Sequence, residues 1–526
     1  MEARIDITGK SLWQLVEERA AATPDVVMAV DMQERTLTYG EFEAWAERAA
    51  AGLAEMGVTV GTPVSWILPS RMEALVLTAA LARLGAVQNP ILPIYREREV
   101  GFMARQTRCE LMIVPGTFRD FDYEAMAKIA TEGLDATVLV CDPDLPEGDP
   151  ATLGPPASND GEPVRWIMYT SGTVADPKGA RHTDASLAAA NVGMQWSLQL
   201  TSDDNVAVVF PITHVGGLVW MFSAMENAQR LLLVEIFSPA TAIPFLQRHD
   251  VTCAGAGTAF HLTYLEAQRR QPDVPLFPKA RLFNGGGAPK PVTLHYEMLE
   301  EMGAPIISGW GLTETPIITM MPLDAPDHKK AETEGQACPG VQLRAVSPAD
   351  ERPGHERPGH EQEVGPGEEG ELRVKAKQVC LGYLDSSLDA DAFDADGWFR
   401  TGDLGVIDDE GYVRITGRLK DIIIRKGENV SAKEVEDILF THPKVADCAV
   451  VGLPDRATGE RVCAVVVSNE GEPLTFKEMT DFLAGEGLIT RKLPEQLEFV
   501  DALPRNPTGK ILKRDLQTQF ADEAQR

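Results

Sequence analysis

The sequence predicts an α/β chain with a large N-terminal part on mixed sheets, a small antiparallel β-unit within it, and a small α+β part at the C-terminus. Strand and helix signals alternate over the first 150 residues or so and continue to about residue 340. From Val341 to Ile415 the pattern changes to short strands broken by Gly and Asp turns, such as Asp408-Asp409-Glu410-Gly411. After Gly417-Arg418-Leu419-Lys420 a compact stretch follows with its own apolar runs, Ala446–Val451 and Val462–Val467. A boundary at Lys420 therefore separates residues 1–419, which include the β-rich 341–415, from residues 420–526. At 526 residues the chain is too long for a single core.

The individual elements follow from local chemistry. Ser11 is placed to cap an amphipathic helix that stops near Pro24, and Val26–Asp31 reads as a strand. Thr38 caps a second helix, with Phe42, Trp45, Ala46, Ala49, Leu53 and Met56 at helical spacing and Gly57 at its end. Val64–Leu68 is a buried-strand run and Met72–Leu84 is helical again. Residues 351–360 read Glu-Arg-Pro-Gly-His twice, inside a Pro/Gly/Glu-rich stretch over 348–370, and predict a disordered hairpin loop. Its His355 and His360 are read as loop residues, not metal ligands.

Charge and cysteine usage exclude several function classes. With 79 acidic and 49 basic residues the net charge is -30, a surface that repels nucleic acid and anionic lipid. Seven scattered cysteines with no CxxC pair fit reduced thiols, neither a disulfide framework nor a zinc site. The longest apolar run, Ala74–Ala82, is far short of a membrane span, and neither end carries a targeting pattern. The expectation is a cytoplasmic chain with no nucleic-acid or membrane partner; its oligomeric state is open, a homodimer included.

Chemistry concentrates in a series of motifs. The strand Trp166-Ile167-Met168 runs into Tyr169-Thr170-Ser171-Gly172-Thr173-Val174-Ala175-Asp176-Pro177-Lys178-Gly179. Hydroxyls, glycines and one lysine after a strand suit a phosphate cradle, although the kinase-type GxxxxGK[ST] is absent. Gly309-Trp310-Gly311-Leu312-Thr313-Glu314-Thr315 follows the apolar Pro305-Ile306-Ile307. Then come Trp398-Phe399-Arg400-Thr401-Gly402-Asp403, Gly417-Arg418-Leu419-Lys420-Asp421, Lys426-Gly427-Glu428-Asn429-Val430 and Pro504-Arg505-Asn506-Pro507-Thr508-Gly509-Lys510. Each is weak alone; in this order over this length they are specific.

In these motifs, from about Leu12 to Leu516, the chain resembles the adenylate-forming superfamily of acyl-CoA synthetases, peptide-synthetase adenylation domains and luciferases. The ending Pro-Thr-Gly-Lys-Ile-Leu-Lys-Arg and the Lys-Gly-Glu-Asn-Val segment place it on the acyl-CoA ligase side, and no carrier-protein segment is expected. The resemblance implies ATP (or acyl-AMP), Mg²⁺ and coenzyme A as cofactors and a small carboxylic acid as substrate. It implies that Thr170, Ser171, Gly172, Thr173 and Lys178 hold the β- and γ-phosphates, and that Glu314 ligates Mg²⁺. Trp310, with Gly311 beside it, would stack on adenine opposite the wall Gly285-Gly286-Gly287-Ala288-Pro289; otherwise Trp310 is a core aromatic. Thr313 would contact the α-phosphate, and Asp403, helped by Arg418, would accept the ribose hydroxyls. Lys510 would bridge the acid's carboxylate and the ATP. Lys420 would be the hinge of a mobile C-terminal domain whose rotation withdraws Lys510 and brings Gly427 to a pantetheine tunnel. Pro211–Leu218 would line the acyl pocket, with His214 as its gate and Gly216 and Gly217 leaving room for a bulky or alicyclic acid. On a chain this acidic, phosphate must be held by local cations, backbone N–H groups and a metal ion.

Two positions depart from the family pattern: Val174 and Ala175 stand where the superfamily usually has Thr and Gly. A lost hydrogen bond to a charged group is worth about 1.5–3 kcal/mol, and both changes fall on the groups that handle pyrophosphate. Weakened adenylation is therefore one expectation, and an enzyme that only transfers CoA onto a supplied acyl-adenylate is its extreme. A luciferase-like oxygenase and a silent AMP-binding protein are the readings of another class.

Overall fold

The structure is a computed structural model that describes residues 4–141, 143–170, 177–287, 290–347, 362–425, 428–455, 459–469, 473–505 and 510–521. Helix starts fall where the capping residues put them. The helix Leu12–Ala22 opens with a reciprocal Ser11–Gln14 capping box, and Tyr39–Glu55 opens with one between Thr38 and Glu41. Met72–Leu84 ends on Gly85 in the left-handed region at φ +70°.

Among the described residues, three sheets precede the antiparallel unit, beside a two-stranded ladder of Thr117–Phe118 and Phe121–Asp122. The first orders Asn205–Val208, Arg230–Leu233 and Val27–Asp31 in parallel, with Thr36–Thr38 antiparallel at one edge. The second has six strands: Lys178–Thr183, Val164–Thr170, Val87–Pro90, Pro63–Trp66, Leu111–Val114 and Thr137–Val140. It is parallel except for Lys178–Thr183, which runs antiparallel to Val164–Thr170 and pairs Lys178 with Thr170. The third joins Phe283–Gly286 and Ile306–Trp310 in parallel and extends through Thr319–Met320 and Gln336–Ala337. The buried helix Met72–Leu84 and the helix Val215–Asn227, nearly all buried, pack in the main core with Trp13, Trp66 and Trp166. Burial on nearly all sides goes with their largely apolar sequences, interrupted by Glu73, Thr78 and Arg83 in the first helix and by Ser223, Glu226 and Asn227 in the second.

The expected antiparallel unit is present as Gln342–Val346, Glu369–Lys375, Phe399–Ile407 and Val413–Arg418, its last strand running three residues past Ile415. A short helical turn, Leu419–Asp421, leads into the C-terminal sheet. That sheet orders Glu428–Ser431, Ile422–Arg425, Gly459–Ser468 and Val445–Asp455, with Gln496–Phe499 parallel to Gly459–Ser468. Two apolar clusters lie on its two sides, one around Val450, Ala464 and Val466, the other around Val451, Val465 and Leu516. All seven cysteines are buried and unpaired. Among the described residues no helix is long and apolar enough to cross a membrane. The duplicated 351–360 segment, with His355 and His360, lies outside the described residues.

Candidate functional site

The motifs gather where the second and third sheets meet the antiparallel unit. Thr170 and Lys178 face each other across adjacent strands, so the sheet pins both ends of the hydroxyl- and glycine-rich loop. Ser171, Gly172, Thr173, Val174 and Ala175 lie outside the described residues. Gly286 pairs with Gly309 in the parallel register, and a Cβ on Gly286 would meet the Gly309 carbonyl oxygen at 3.0 Å. Gly287 follows at φ +75°, which favours glycine, while Ala288 and Pro289 lie outside the described residues. A Cβ on Gly311 would sit 2.6 Å from the Ile317 nitrogen, so the turn after Trp310 closes only with glycine there. Leu312 and Thr315 exchange backbone hydrogen bonds at 3.0 and 3.2 Å, fixing Thr313 and Glu314 at the turn.

Trp310 is 8% exposed and packs with Ile318, Leu372, Val374 and Val413. Its indole N–H donates to Asp403 Oδ2 at 2.8 Å. The ring thus packs as a core aromatic and also carries a polar function. Asp403, 2% exposed, also forms an ion pair from Oδ1 to Arg418 Nε at 2.7 Å, and the two residues are register partners on adjacent strands. Its backbone N–H donates to Thr401 Oγ1 at 3.1 Å. A buried carboxylate held by a strand partner and an indole is a fixed acceptor.

The C-terminal part brings Lys510 to this acidic point. Burial, then the neighbouring Arg418 and Lys420 cations, push its pKa down to about 8, with Asp403 and Asp421 opposing. Lys420, in the turn that links the two parts, is lowered by burial and Arg418 and raised by Asp421, Asp403 and Glu314. Three cations from two segments, Arg418 and Lys420 from the link and Lys510 from the C-terminal part, therefore act on Asp403 and its surroundings in a chain of net charge -30. Gly427 lies outside the described residues.

Glu314 and Thr313 are held by residues that no motif indicated. Tyr383 O–H donates to Glu314 Oε1 at 2.7 Å, and the Lys178 ammonium lies 5.2 Å from the centre of the Tyr383 ring. Burial, then the Glu314 charge, raise the Tyr383 pKa, so the phenol stays a donor. His182 is fully buried with Nε2 at 2.9 Å from the Thr313 carbonyl oxygen, and burial pushes its pKa down to about 4. A neutral ring facing a carbonyl must carry its proton on Nε2. Among the described residues no three His, Cys, Asp or Glu side chains gather as a metal cage. One carboxylate, Glu314, with a second oxygen that no described residue binds, suits Mg²⁺, which is held mostly by phosphate oxygens and water.

His214 caps the helix Val215–Asn227, its Nδ1 accepting the Gly216 N–H at 3.1 Å, and burial pushes its pKa down to about 4. It lines a small cleft with Ile91, Met168, Tyr169, Thr213 and Thr313. The two glycines require a correction. A Cβ on Gly217 would meet the Ile212 carbonyl oxygen at 2.4 Å, and one on Gly216 would meet His214 Nδ1 at 3.2 Å. Their missing side chains serve the packing of the 211–217 turn and give no support to a bulky acid.

The chain matches the family model of AMP-binding enzymes over residues 16–384 and that of the AMP-binding enzyme C-terminal domain over 434–510. It is 30% identical over 540 residues to a medium-chain fatty-acid–CoA ligase of Escherichia coli, covering 98% of this chain and 92% of that protein. It is 29% identical to ATP-bound MatB from Rhodopseudomonas palustris, with a TM-score of 0.87 over 98% of this chain and 100% of that one. With o-succinylbenzoate coenzyme A synthetase (MenE) from Bacillus subtilis, in complex with ATP and magnesium ion, the identity is 26% and the TM-score 0.81, covering 97% of this chain and 99% of that one. On the converging motifs and these matches, the chain belongs to the AMP-binding enzyme family, within the adenylate-forming superfamily that contains the acid–CoA ligases.

Proposed function

We propose that this enzyme couples a carboxylic acid to coenzyme A through an acyl-adenylate. A carboxylate resists thiol attack because oxide is a poor leaving group; joining it to AMP supplies a better one. In the first half-reaction the carboxylate oxygen attacks the α-phosphorus and pyrophosphate leaves. In the second the thiol attacks the acyl carbon and AMP leaves. Asp403 would take the ribose hydroxyls, held for that by Trp310 and Arg418. Thr313, anchored by His182, would face the α-phosphate, and Lys178 the β- and γ-phosphates. Mg²⁺ held by Glu314 together with the nucleotide would neutralise charge on the departing pyrophosphate. Lys510 would hold the carboxylate against the α-phosphate, a point charge suited to a group that must later withdraw.

The observation that carries this reading is the buried Asp403 acceptor fixed by Trp310 and Arg418, whose charge is felt by Lys510 from the far end of the chain. Lys510 then belongs to the adenylation step, and Lys420 is where the C-terminal part would turn for the thiol step. The small cleft beside His214 and Thr313 is the proposed acyl site. The test measures pyrophosphate release with ATP and a panel of acids, then thioester formation from coenzyme A and supplied acyl-adenylate. Both half-reactions with the same acid are expected. Thioester formation without pyrophosphate release would favour the CoA-transfer-only enzyme that Val174 and Ala175 suggest, and neither half-reaction with any acid would refute the proposal.

A further inference from the structure

Lys178 and Glu314 carry opposite charge and lie at one end of the site, yet among the described residues no ion pair joins them. Tyr383 stands between them. Its hydroxyl takes Glu314 Oε1 at 2.7 Å, and its ring face takes the Lys178 ammonium at 5.2 Å from the centroid. The side chain is only 3% exposed and packs with Ala180, Cys380 and Phe399, so its place is set by the fold.

The backbone around it is tied to both partners. Tyr383 bridges Ala180, the Leu384 N–H donates to the Gly179 carbonyl at 2.8 Å, and the Leu381 N–H donates to the Arg181 carbonyl at 2.8 Å. The Cys380 N–H donates to the Glu314 carbonyl at 2.8 Å. The Tyr383 N–H donates to Asp389 Oδ1 at 2.7 Å, and Gly382, at φ +90°, leaves the room this requires: a Cβ there would meet Asp389 Oδ2 at 2.5 Å. One strap thus fixes the phenol against the strand that bears Lys178 and the turn that bears Glu314.

We propose that Tyr383 is a positioning residue that keeps Glu314 and Lys178 from neutralising each other, leaving one Glu314 oxygen for magnesium and the Lys178 ammonium for phosphate. This rests on the reading that Glu314 takes the metal. An ammonium paired to Glu314 would compete with the cation for the same oxygens and be lost to the phosphates. The phenol prevents this by turning the carboxylate with a hydrogen bond and by giving the ammonium an aromatic face in place of an anion.

The test uses the full chain and needs no acid. ATP binding is followed by calorimetry while Mg²⁺ is varied, for wild type, Tyr383→Phe and Tyr383→Leu. Phe keeps the ring and loses the hydroxyl, so the Mg²⁺ concentration for half-maximal ATP binding should rise about 10- to 100-fold, the usual cost of losing a hydrogen bond to a metal-ligating carboxylate. ATP affinity at saturating Mg²⁺ should stay within about threefold for Phe and fall further for Leu, which also frees the ammonium. Thioester formation from supplied acyl-adenylate should be unchanged in the Phe variant, which also shows that it folds. In a Glu314→Gln background the Phe substitution should add no further shift, since the residue acts through that carboxylate. A Mg²⁺ dependence within about twofold of wild type for Tyr383→Phe would overturn the proposal. So would a parallel loss of ATP binding and thioester formation, which marks a merely structural role. Should wild type activate no acid, the ligase reading fails while the Mg²⁺ dependence still decides the role of Tyr383.

Discussion

In its proposed role, Lys510 should make adenylation sensitive to alkaline pH. Its pKa is pushed from the ordinary 10.5 to about 8, by burial first and then by Arg418 and Lys420. That difference corresponds to about 3 kcal/mol against the ammonium form. Near pH 7 about nine-tenths of the enzyme then carries the cation, and near pH 9 about one-tenth does. The perturbation is therefore pH itself, and the quantity to follow is kcat/KM for ATP in acid-dependent pyrophosphate exchange, which reports on the free enzyme. It should fall about tenfold per unit above pH 8. Thioester formation from supplied acyl-adenylate should not share the fall, because the proposed turn of the C-terminal part withdraws Lys510 from that step and the attacking thiol ionises in the same range. Stability runs the other way. A lysine whose pKa is lower in the folded protein penalises folding while it is charged, and the penalty is relieved as pH rises between about 8 and 10.5. Activity should thus be lost while thermal stability holds or improves. Lys510→Arg keeps its charge over the whole range and should flatten the alkaline limb at a lower overall rate. A wild-type profile flat to pH 9.5 or so, or a limb that persists in Lys510→Arg, would refute the assignment of the limb to this residue.

Trp310→Phe removes one hydrogen bond to a buried carboxylate while keeping a ring in the core. The KM for ATP should rise about 10-fold or more with the KM for the acid unchanged, read in pyrophosphate exchange. Gly217→Ala places a methyl 2.4 Å from the Ile212 carbonyl oxygen and should destabilise the N-terminal part by about 1–3 kcal/mol in a urea titration. Chelation of Mg²⁺ should abolish pyrophosphate release yet leave thioester formation from supplied acyl-adenylate, since the cation serves the departing pyrophosphate; loss of both would contradict the place given to Glu314.

What could be read from the sequence was what local chemistry encodes. Ser11 with Gln14, and Thr38 with Glu41, announce helix starts because a capping box spans three residues. The change from helix–strand alternation to short Gly- and Asp-broken strands located the antiparallel unit, because turn residues act at fixed offsets. The motifs from Thr170 to Lys510 were visible because the close approach to a nucleotide proposed for them would restrict residue type over a few consecutive positions. Contacts between distant segments leave no such local pattern. Nothing near Trp310 says that its indole holds Asp403, and nothing near Tyr383 or His182 says that they steady Glu314 and Thr313. Those partners meet only when separate strands are brought into register. Gly216 and Gly217 show the same limit from the other side. As letters they suggest empty space, but the backbone of Ile212 and the ring of His214 occupy it. Residue type and short spacing are properties of the chain; which oxygen meets which hydrogen across a hundred residues is a property of packing, and packing decided how this site is held.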